Sequence, residues 1–517
     1  MRLRRVSITR FKNLHEFTAD FSSDSPVSVI VGRNGTGKSN LLEALTIIFR
    51  DLDLGIIPNL DFTLEYECRG REIRLSASTR PKRLDVKVDG VKRPRSWLSG
   101  ANSGERLLPD FVFGYYSGPS NRLASHYLQH QEAFSRALRE GNDIPLRRLF
   151  YAQPIHSQFV LLAFFLSAEP DVVLKDFLRI GDFDSALFVL KEPYWAQRRA
   201  VSNAGNARFW GARGTVSGLL DALWELALAP MRTLAEPSRP TSRRERRSEL
   251  LYLYLKEKSD LVRLARERYG GSPQELFKAF ESILSADLLD EVRVRVRMLD
   301  NQGSLVFREL SEGEQQLLMV LGLLRFTTED ESLFLLDEPD THLNPAWSLE
   351  YVKMLEEGAG ASSSSSQLLM ATHDPLVISG LLKEQVILLE RRNGATRARH
   401  PRDDPQGQGV AGLLTSEIYG LASDLDPTTL EKLERHRLLA ARENLSSDEE
   451  SELGTLAEQL GDLGFTFTTR DPLYTTFEKA MLARPEKLEP TLSAEEQEKK
   501  AMRARVILDE IFEGDPG

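Results

Sequence analysis

The octet Gly32-Arg-Asn-Gly-Thr-Gly-Lys-Ser39 constrains this chain more than any other stretch, because of what flanks it. Before it stands a short apolar run, Val27-Ser-Val-Ile-Val31, and after it Asn40-Leu-Leu-Glu-Ala-Leu-Thr-Ile-Ile-Phe49. The first reads as a strand and the second as a helix, so the chain must fold here as strand, glycine turn, helix. Glycines in such a turn let the backbone N–H groups of Arg33, Asn34, Gly35, Thr36 and Gly37 approach phosphates at the positive end of a helix dipole. Lys38 then reaches the β- and γ-phosphates, the Ser39 hydroxyl is placed to ligate Mg2+, and Asn40 follows in the first turn. The expectation is a nucleotide-binding α/β fold.

A second constellation supports it. Leu333-Phe-Leu-Leu-Asp337-Glu338-Pro339 is an apolar strand ending in two adjacent carboxylates. A buried strand would deliver Asp337 to the metal and phosphates, and Glu338 to the attacking water. Before it stands Leu310-Ser311-Glu312-Gly313-Glu314-Gln315-Gln316, and after it Met370-Ala-Thr-His373-Asp-Pro375. Read alone, Ser-Glu-Gly-Glu is a helix cap with an acidic first turn.

Organisation follows from texture. Runs at 62–68, 72–78 and 84–88, joined by Arg69-Gly70 and Asp89-Gly90, predict an antiparallel meander, and 111–116 a further strand. The segment 119–290 is mostly helical in pattern, is interrupted by prolines and sustains no heptad repeat, which predicts a compact helical insertion. Strand-like runs return at 291–299, 333–337, 367–371 and 386–390, with a flexible Gly/Ser stretch at 358–366. Past 404 the chain turns helical and acidic, and Ser447–Glu450 and Ser493–Glu496 read as capping boxes. The expected divisions are therefore 1–118, 119–290, 291–403 and 404–517.

Charge follows the same division. Residues 401–517 hold 13 Lys and Arg against 25 Asp and Glu, whereas 1–400 hold 54 against 52, so the net charge of -10 says nothing about DNA. The lone Cys68 excludes an intrachain disulfide and a Cys-based zinc site. The apolar run Phe159–Leu166 is far shorter than the roughly 20 residues of a membrane span, and Met1–Arg10 lacks a signal-type apolar core. A cytoplasmic protein with no membrane partner is expected.

Taken together, phosphate loop, Ser-x-Gly-Glu, Asp-Glu-Pro and Thr-His stand in the order of the ABC-type ATPases. With Ile8-Thr-Arg-Phe-Lys-Asn13, the chain resembles the ATPase heads of the RecF, SMC and OLD group. Asp337-Glu-Pro-Asp-Thr-His-Leu-Asn-Pro345, Phe113–Arg122 and Asp471–Phe477 are similar to the ATPases of restriction-associated and Septu-type antiphage loci. The resemblance implies an ATPase head split between 1–118 and 291–403, with ATP and Mg2+ as cofactors. Lys38 and Ser39 would hold phosphate and metal, Asp337 the metal, Glu338 the water and His373 the γ-phosphate. Ser311, Gly313 and Glu314 would face the nucleotide of a second copy in a head-to-tail homodimer. It also implies an effector nuclease of HNH type as partner, and DNA. Two departures stand out. Asn344 occupies the usual Asp position of the loop after Asp337-Glu338, and Gln129, Gln153 and Gln158 all remain open as the metal-binding Gln.

Other signals carry alternatives. His126, His130 and His156 could form a metal site, but a solvated helix face is favoured for the pair four residues apart. Arg239–Arg247 grips a phosphate backbone or is a solvated loop; Arg293, Arg295 and Arg297 face DNA or acidic neighbours. The run Val506, Ile507, Leu508, Ile511 and Phe512 is a docked core helix in preference to a partner-binding one. OLD-type nucleases carry a Toprim domain marked by a Glu-Gly and an Asp-x-Asp; here only Asp424-Leu-Asp426 comes near. The favoured function is therefore an ATPase that gates a separate nuclease in antiphage defence. The alternative is a RecF-like repair ATPase acting on DNA directly.

Overall fold

The computed structural model describes residues 1–21, 25–100, 104–142, 146–166, 172–197, 205–234, 249–299, 303–327, 331–358, 366–392, 394–442, 444–465, 499 and 502–507. Arg239–Arg247, Asp471–Phe477, the Ser493 box, most of the Gly/Ser stretch, and Leu508, Ile511 and Phe512 lie outside the described residues. The chain divides into two compact units, one of 1–377 with 384–400 and one of 378–383 with 401–517.

Three sheets build the first unit. The central one has the order β18-β17-β3-β16-β15-β8-β9. Its members are β3 (Val27–Val31), β8 (Val112–Tyr116), β9 (Leu149–Tyr151), β15 (Leu333–Asp337), β16 (Gln367–Ala371), β17 (Val386–Arg392) and β18 (Ala395–Arg399). All its pairings are parallel except the hairpin β17-β18. Every residue of β3, β15 and β16 is buried, the two-sided cover that makes parallel strands read as unbroken apolar runs. Parallel strands put all their carboxyl ends on one edge, where ligands bind in open α/β sheets.

The second sheet is the expected meander, order β2-β1-β4-β5-β6-β7: β1 (Arg2–Phe11), β2 (Leu14–Asp20), β4 (Phe62–Cys68), β5 (Arg71–Thr79), β6 (Lys82–Val88) and β7 (Val91–Arg93). Arg69 and Gly70 (φ 51° and 68°) and Asp89 and Gly90 (50° and 77°) take the left-handed pairs that match hairpin twist. Helix α1 (Lys38–Asp53) joins the two sheets, with Leu41, Leu42, Leu45, Ile48 and Phe49 buried and Phe49 edge-on to Tyr66 at 5.9 Å. β2 is absent from the sequence reading because left-handed Glu16 (φ 44°) switches the buried set from Leu14 to Phe17 and Ala19, breaking the two-residue period.

The region 119–290 differs in part from its helical expectation. It contains α2 (Leu128–Glu140), α3 (His156–Phe164), the single turn α4 (Tyr194–Gln197), α5 (Gly214–Leu226), α6 (Lys258–Tyr269) and α7 (Pro273–Ser285). It also supplies most of a third, antiparallel sheet, order β11-β12-β10-β13-β14. These strands are β10 (Ile180–Lys191), β11 (Met231–Leu234), β12 (Glu249–Leu255), β13 (Leu289–Met298) and β14 (Ser304–Val306). Register shifts along β10 blur its alternation, and Glu249-Leu-Leu-Tyr-Leu-Tyr-Leu255 carries large side chains on both faces. The unit also holds α8 (Glu312–Thr327), α9 (Pro345–Gly358) and the start of the single turn α10 (Pro375–Ile378).

Among the described residues the second unit carries helices α11 (Gly409–Thr415), α12 (Pro427–Ala440) and α13 (Ser447–Asp462). Arg435 and Glu452 tie α12 to α13 at 2.8 and 2.6 Å. The capping box lies one residue earlier than expected. Ser446 is extended and accepts from the Glu449 N–H, and Glu449 accepts from the Ser446 N–H, whereas Ser447 is already helical. Asp426 caps α12 by accepting from the N–H groups of Thr428 and Thr429, which accounts for it without a metal. In the C-terminal run Ile507 is buried and Val506 exposed.

Candidate functional site

The turn after β3 is held from both sides. Thr36 donates to the Arg33 carbonyl at 2.8 Å, and Thr396 on β18 donates to the Thr36 carbonyl at 2.9 Å. Asn13, from the β1-β2 hairpin, donates to the Gly35 carbonyl at 2.8 Å and accepts from Asn40 at 2.6 Å. Gly37 begins α1 at φ 107°, and a Cβ there would lie 2.8 Å from Asn13 Oδ1, so neither conformation nor space admits a side chain. No side chain caps α1, which leaves its N-terminus open to an anion. Arg33, Asn34 and Gly35 are exposed, and Lys38 is buried with Nζ 2.8 Å from the Gly32 carbonyl. Burial pushes the Lys38 pKa down against the opposing pull of Glu338, Asp337 and Asp340.

Asp337 ends β15 and is 4% exposed. Burial pushes its pKa up to about 6, although Ser39 hydrogen-bonds it. Its Oδ1 is buried without a hydrogen-bond partner. An orphaned hard oxygen beside the Ser39 hydroxyl is the donor chemistry that suits Mg2+. Glu338 sits at φ 53°, its N–H bonded to the Ala371 carbonyl at 2.8 Å. This left-handed residue is backbone strain of the kind that collects at functional sites. It turns the Glu338 carboxylate to His373, with Oε1 3.1 Å from Nδ1, in a partly exposed position.

Two further residues hold the site: Asn13 at the phosphate loop and Asp340 after Glu338. Asp340 is buried, is pushed up to about 6 by burial, and accepts from Thr372 at 2.6 Å. Asn13 and Asp340 lie within the motifs Ile8–Asn13 and Asp337–Pro345, but the sequence does not show the contact each makes.

Ser311 is exposed and caps α8 in a reciprocal box: Glu314 accepts from its N–H at 2.7 Å and its hydroxyl at 2.6 Å, and the Glu314 N–H returns to the Ser311 oxygen at 3.3 Å. Gly313 packs against the loop after Glu338, where Gln316 also donates to the Pro339 carbonyl. Asn344 starts α9, accepting from the Trp347 N–H at 3.0 Å, a capping role that Asn fills as well as Asp.

The three glutamines are scattered. Gln129 is exposed on α2, Gln158 is buried in α3, and the Gln153 N–H donates to His156 at 2.8 Å. Tyr116 stands opposite Asp337 at the end of β8, and the next residue is Ser117, whose N–H donates to the Asp337 carbonyl at 3.3 Å and whose hydroxyl meets Thr341 at 3.0 Å.

The histidines correct the expectation of a solvated helix face. His126 lies between Glu43 at 3.1 Å and Arg50 at 3.0 Å, and His130 is 8% exposed with Asp53 at 2.7 Å. Both face α1, whose largely buried carboxylates Glu43, in its first half, and Asp53, at its end, need partners. His156 is fully buried against Glu281 at 2.7 Å. No group of three or more potential metal ligands occurs among the described residues.

Comparison with known proteins meets this geometry. Residues 205–379 match the family profile "AAA domain, putative AbiEii toxin, Type IV TA system", and residues 1–86 match "AAA ATPase domain". The chain is an ATPase with AAA-type domains. Similar proteins include the Septu protein PtuA of Bacillus mycoides (strain KBAB4), 29% identical over 160 residues. That match covers 29% of this chain and 22% of PtuA, so the chain spans about a fifth of that relative. The Retron Vc95 probable ATPase of Vibrio cholerae serotype O1 biovar El Tor is 21% identical over 440 residues, covering 80% of this chain and 78% of the relative. DNA replication and repair protein RecF of Desulforamulus reducens is 30% identical over 108 residues, 19% of this chain and 29% of RecF. Among solved structures, the SMC head domain from Thermotoga maritima is 14% identical at a TM-score of 0.33, covering 77% of this chain and 99% of that one. None of the described helices is long and apolar enough to cross a membrane.

Proposed function

We propose that this ATPase is the ATP-hydrolysing subunit of an antiphage defence system, that two copies close head to tail on ATP, and that the closed pair gates a separate HNH-type effector nuclease. The single observation carrying hydrolysis is the Glu338–His373 pair, 3.1 Å apart and partly exposed, beside buried Lys38 and Asp337. The loop N–H groups and Lys38 bind phosphate, and Ser39 with Asp337 would hold Mg2+, which supplies charge neutralisation at the phosphates. Glu338 takes the proton of the attacking water, and His373 orients Glu338 and reaches the γ-phosphate. Ser311 and Glu312 are exposed at the start of α8, open to the nucleotide of another copy. The defence setting is supported by the Septu and retron relatives.

The test is Glu338→Gln, purified with ATP and Mg2+ from the native host. A trapped dimer carrying a stoichiometric nuclease is the expected result. A variant that stays monomeric with bound ATP would sink the dimer switch, and a dimer carrying nucleic acid without a protein partner would favour the RecF-like reading, which the RecF similarity supports.

A further inference from the structure

The third sheet has one face in the core; on the other, the long side chains of β13 and β12 are exposed or partly exposed, while Ser185 and Val189 of β10 between them are buried. Val292, Val294 and Val296 of β13, Ala186, Phe188 and Leu190 of β10, and Leu251, Leu253 and Leu255 of β12 are fully buried. The alternate residues of β13 are Arg293, Arg295 and Arg297, with side chains 55%, 50% and 61% exposed. Two rows away on the same face stand Tyr252 and Tyr254 of β12, both partly exposed. The register places Arg293 opposite Leu187, and Leu187 opposite Tyr254, so guanidinium, aliphatic group and phenol ring lie side by side across three strands. Met231 of the edge strand β11, 55% exposed, flanks Tyr252.

Charge on this face is unbalanced. Arg295 and Arg297 both approach Asp184 at 3.7 Å, and Arg293 and Arg308 both bond Glu291. With Asp182, which stands opposite Arg297 and is bonded by Lys258 at 2.9 Å, five cations share three carboxylates, and successive arginines of β13 repeat at about 6.8 Å along the exposed face of the strand. Surface pairs of this kind are weak and exchange readily for phosphate. Aromatic rings set among arginines on an open antiparallel sheet suit unpaired bases, whose faces stack on phenol rings while the backbone follows the cations.

We propose that the outer face of the β11-β12-β10-β13-β14 sheet binds single-stranded nucleic acid, with Arg293, Arg295 and Arg297 on phosphates and Tyr252 and Tyr254 beneath bases. This surface is built without any residue of the ATP site, and it would add a nucleic-acid ligand to the proposed function.

The experiment titrates the full chain, with ATP and Mg2+, into a fluorescein-labelled oligothymidylate over a range of salt and follows anisotropy. Wild type is expected to bind with a steep salt dependence. Arg293→Gln/Arg295→Gln/Arg297→Gln should lose at least tenfold in affinity and flatten the log–log slope by about 2, at about 0.7 per phosphate on single strands. Tyr252→Leu/Tyr254→Leu should lose about fivefold or more with the slope unchanged. ATP turnover should match wild type in both, which also certifies their fold; the triple Arg→Lys variant, which keeps the charge, should retain the slope. The inference falls if wild type does not bind, or if both variants bind as wild type does. It falls also if polyglutamate binds as tightly and ignores the tyrosines, which would mark an acidic protein partner. A chain without ATP turnover that still binds oligothymidylate through these residues would strike the proposed function and leave this one standing.

Discussion

A side-chain carbon on Gly313 would sit 2.2 Å from the carbonyl oxygen of His342. Backbone therefore meets backbone where α8 begins and where the loop after Glu338 turns toward α9. Gln316 bonds the Pro339 carbonyl in the same contact. A rearrangement at Glu338 cannot leave the start of α8 where it was, because packed interiors shift between discrete arrangements.

Substituting Gly313→Ala forces those backbones apart. The expected cost is about 1–3 kcal/mol of stability, as for overpacking elsewhere, with ATP binding kept and turnover reduced. Chemical denaturation and a nucleotide-binding titration on the same preparation check both halves.

Asn13 spans the β1-β2 hairpin and the phosphate loop through two hydrogen bonds. Asn13→Ala removes both, at about 1 kcal/mol each, so ATP affinity should fall by about tenfold or more. Turnover at saturating ATP should fall much less, since Glu338 and His373 keep their places. Equal losses in kcat and affinity would show that the loop itself had collapsed.

Glu338→Gln should lower turnover by about a hundred- to ten-thousand-fold, the usual weight of a general base, while ATP still binds. Single-turnover hydrolysis distinguishes this from slow product release.

Glu281 is a buried carboxylate at the meeting of α7 with α3. Burial alone would raise its pKa, but Arg147 and His156 outweigh it and hold the group at about 2, with Ser285 donating at 2.7 Å. A carboxylate depressed below its unfolded value of 4.5 stabilises fully above that pH and loses its contribution as the pH falls toward 2. Glu281→Gln leaves Arg147 buried without its counter-charge, and about 3–5 kcal/mol should be lost near neutral pH. The deficit relative to wild type should shrink on acidification below about pH 4; melting curves across that range follow it.

The central site was legible in the sequence because its chemistry is local. Gly32–Ser39 and Leu333–Glu338 each carry their own strand-to-turn signal, and parallel burial writes β3, β15 and β16 as continuous apolar runs. Contacts between distant segments were not legible: nothing near Asn13 announces Gly35, and nothing near His130 announces Asp53. The β10-β12-β13 sheet escaped for a different reason. Its basic strand was visible at Arg293–Arg297, but bulges in β10 hid the partner that makes it the middle of a sheet.

The strand that leads into the phosphate loop has both its neighbours far downstream. β3 pairs with β16 on one edge and β17 on the other, and neither begins before Gln367. During synthesis Val27–Val31 must therefore wait with two open edges while more than three hundred further residues are added. A ribosome stalled anywhere in that interval releases a chain in which a strand buried along its whole length in the native fold is unpaired, the species on which aggregation and chaperone capture act.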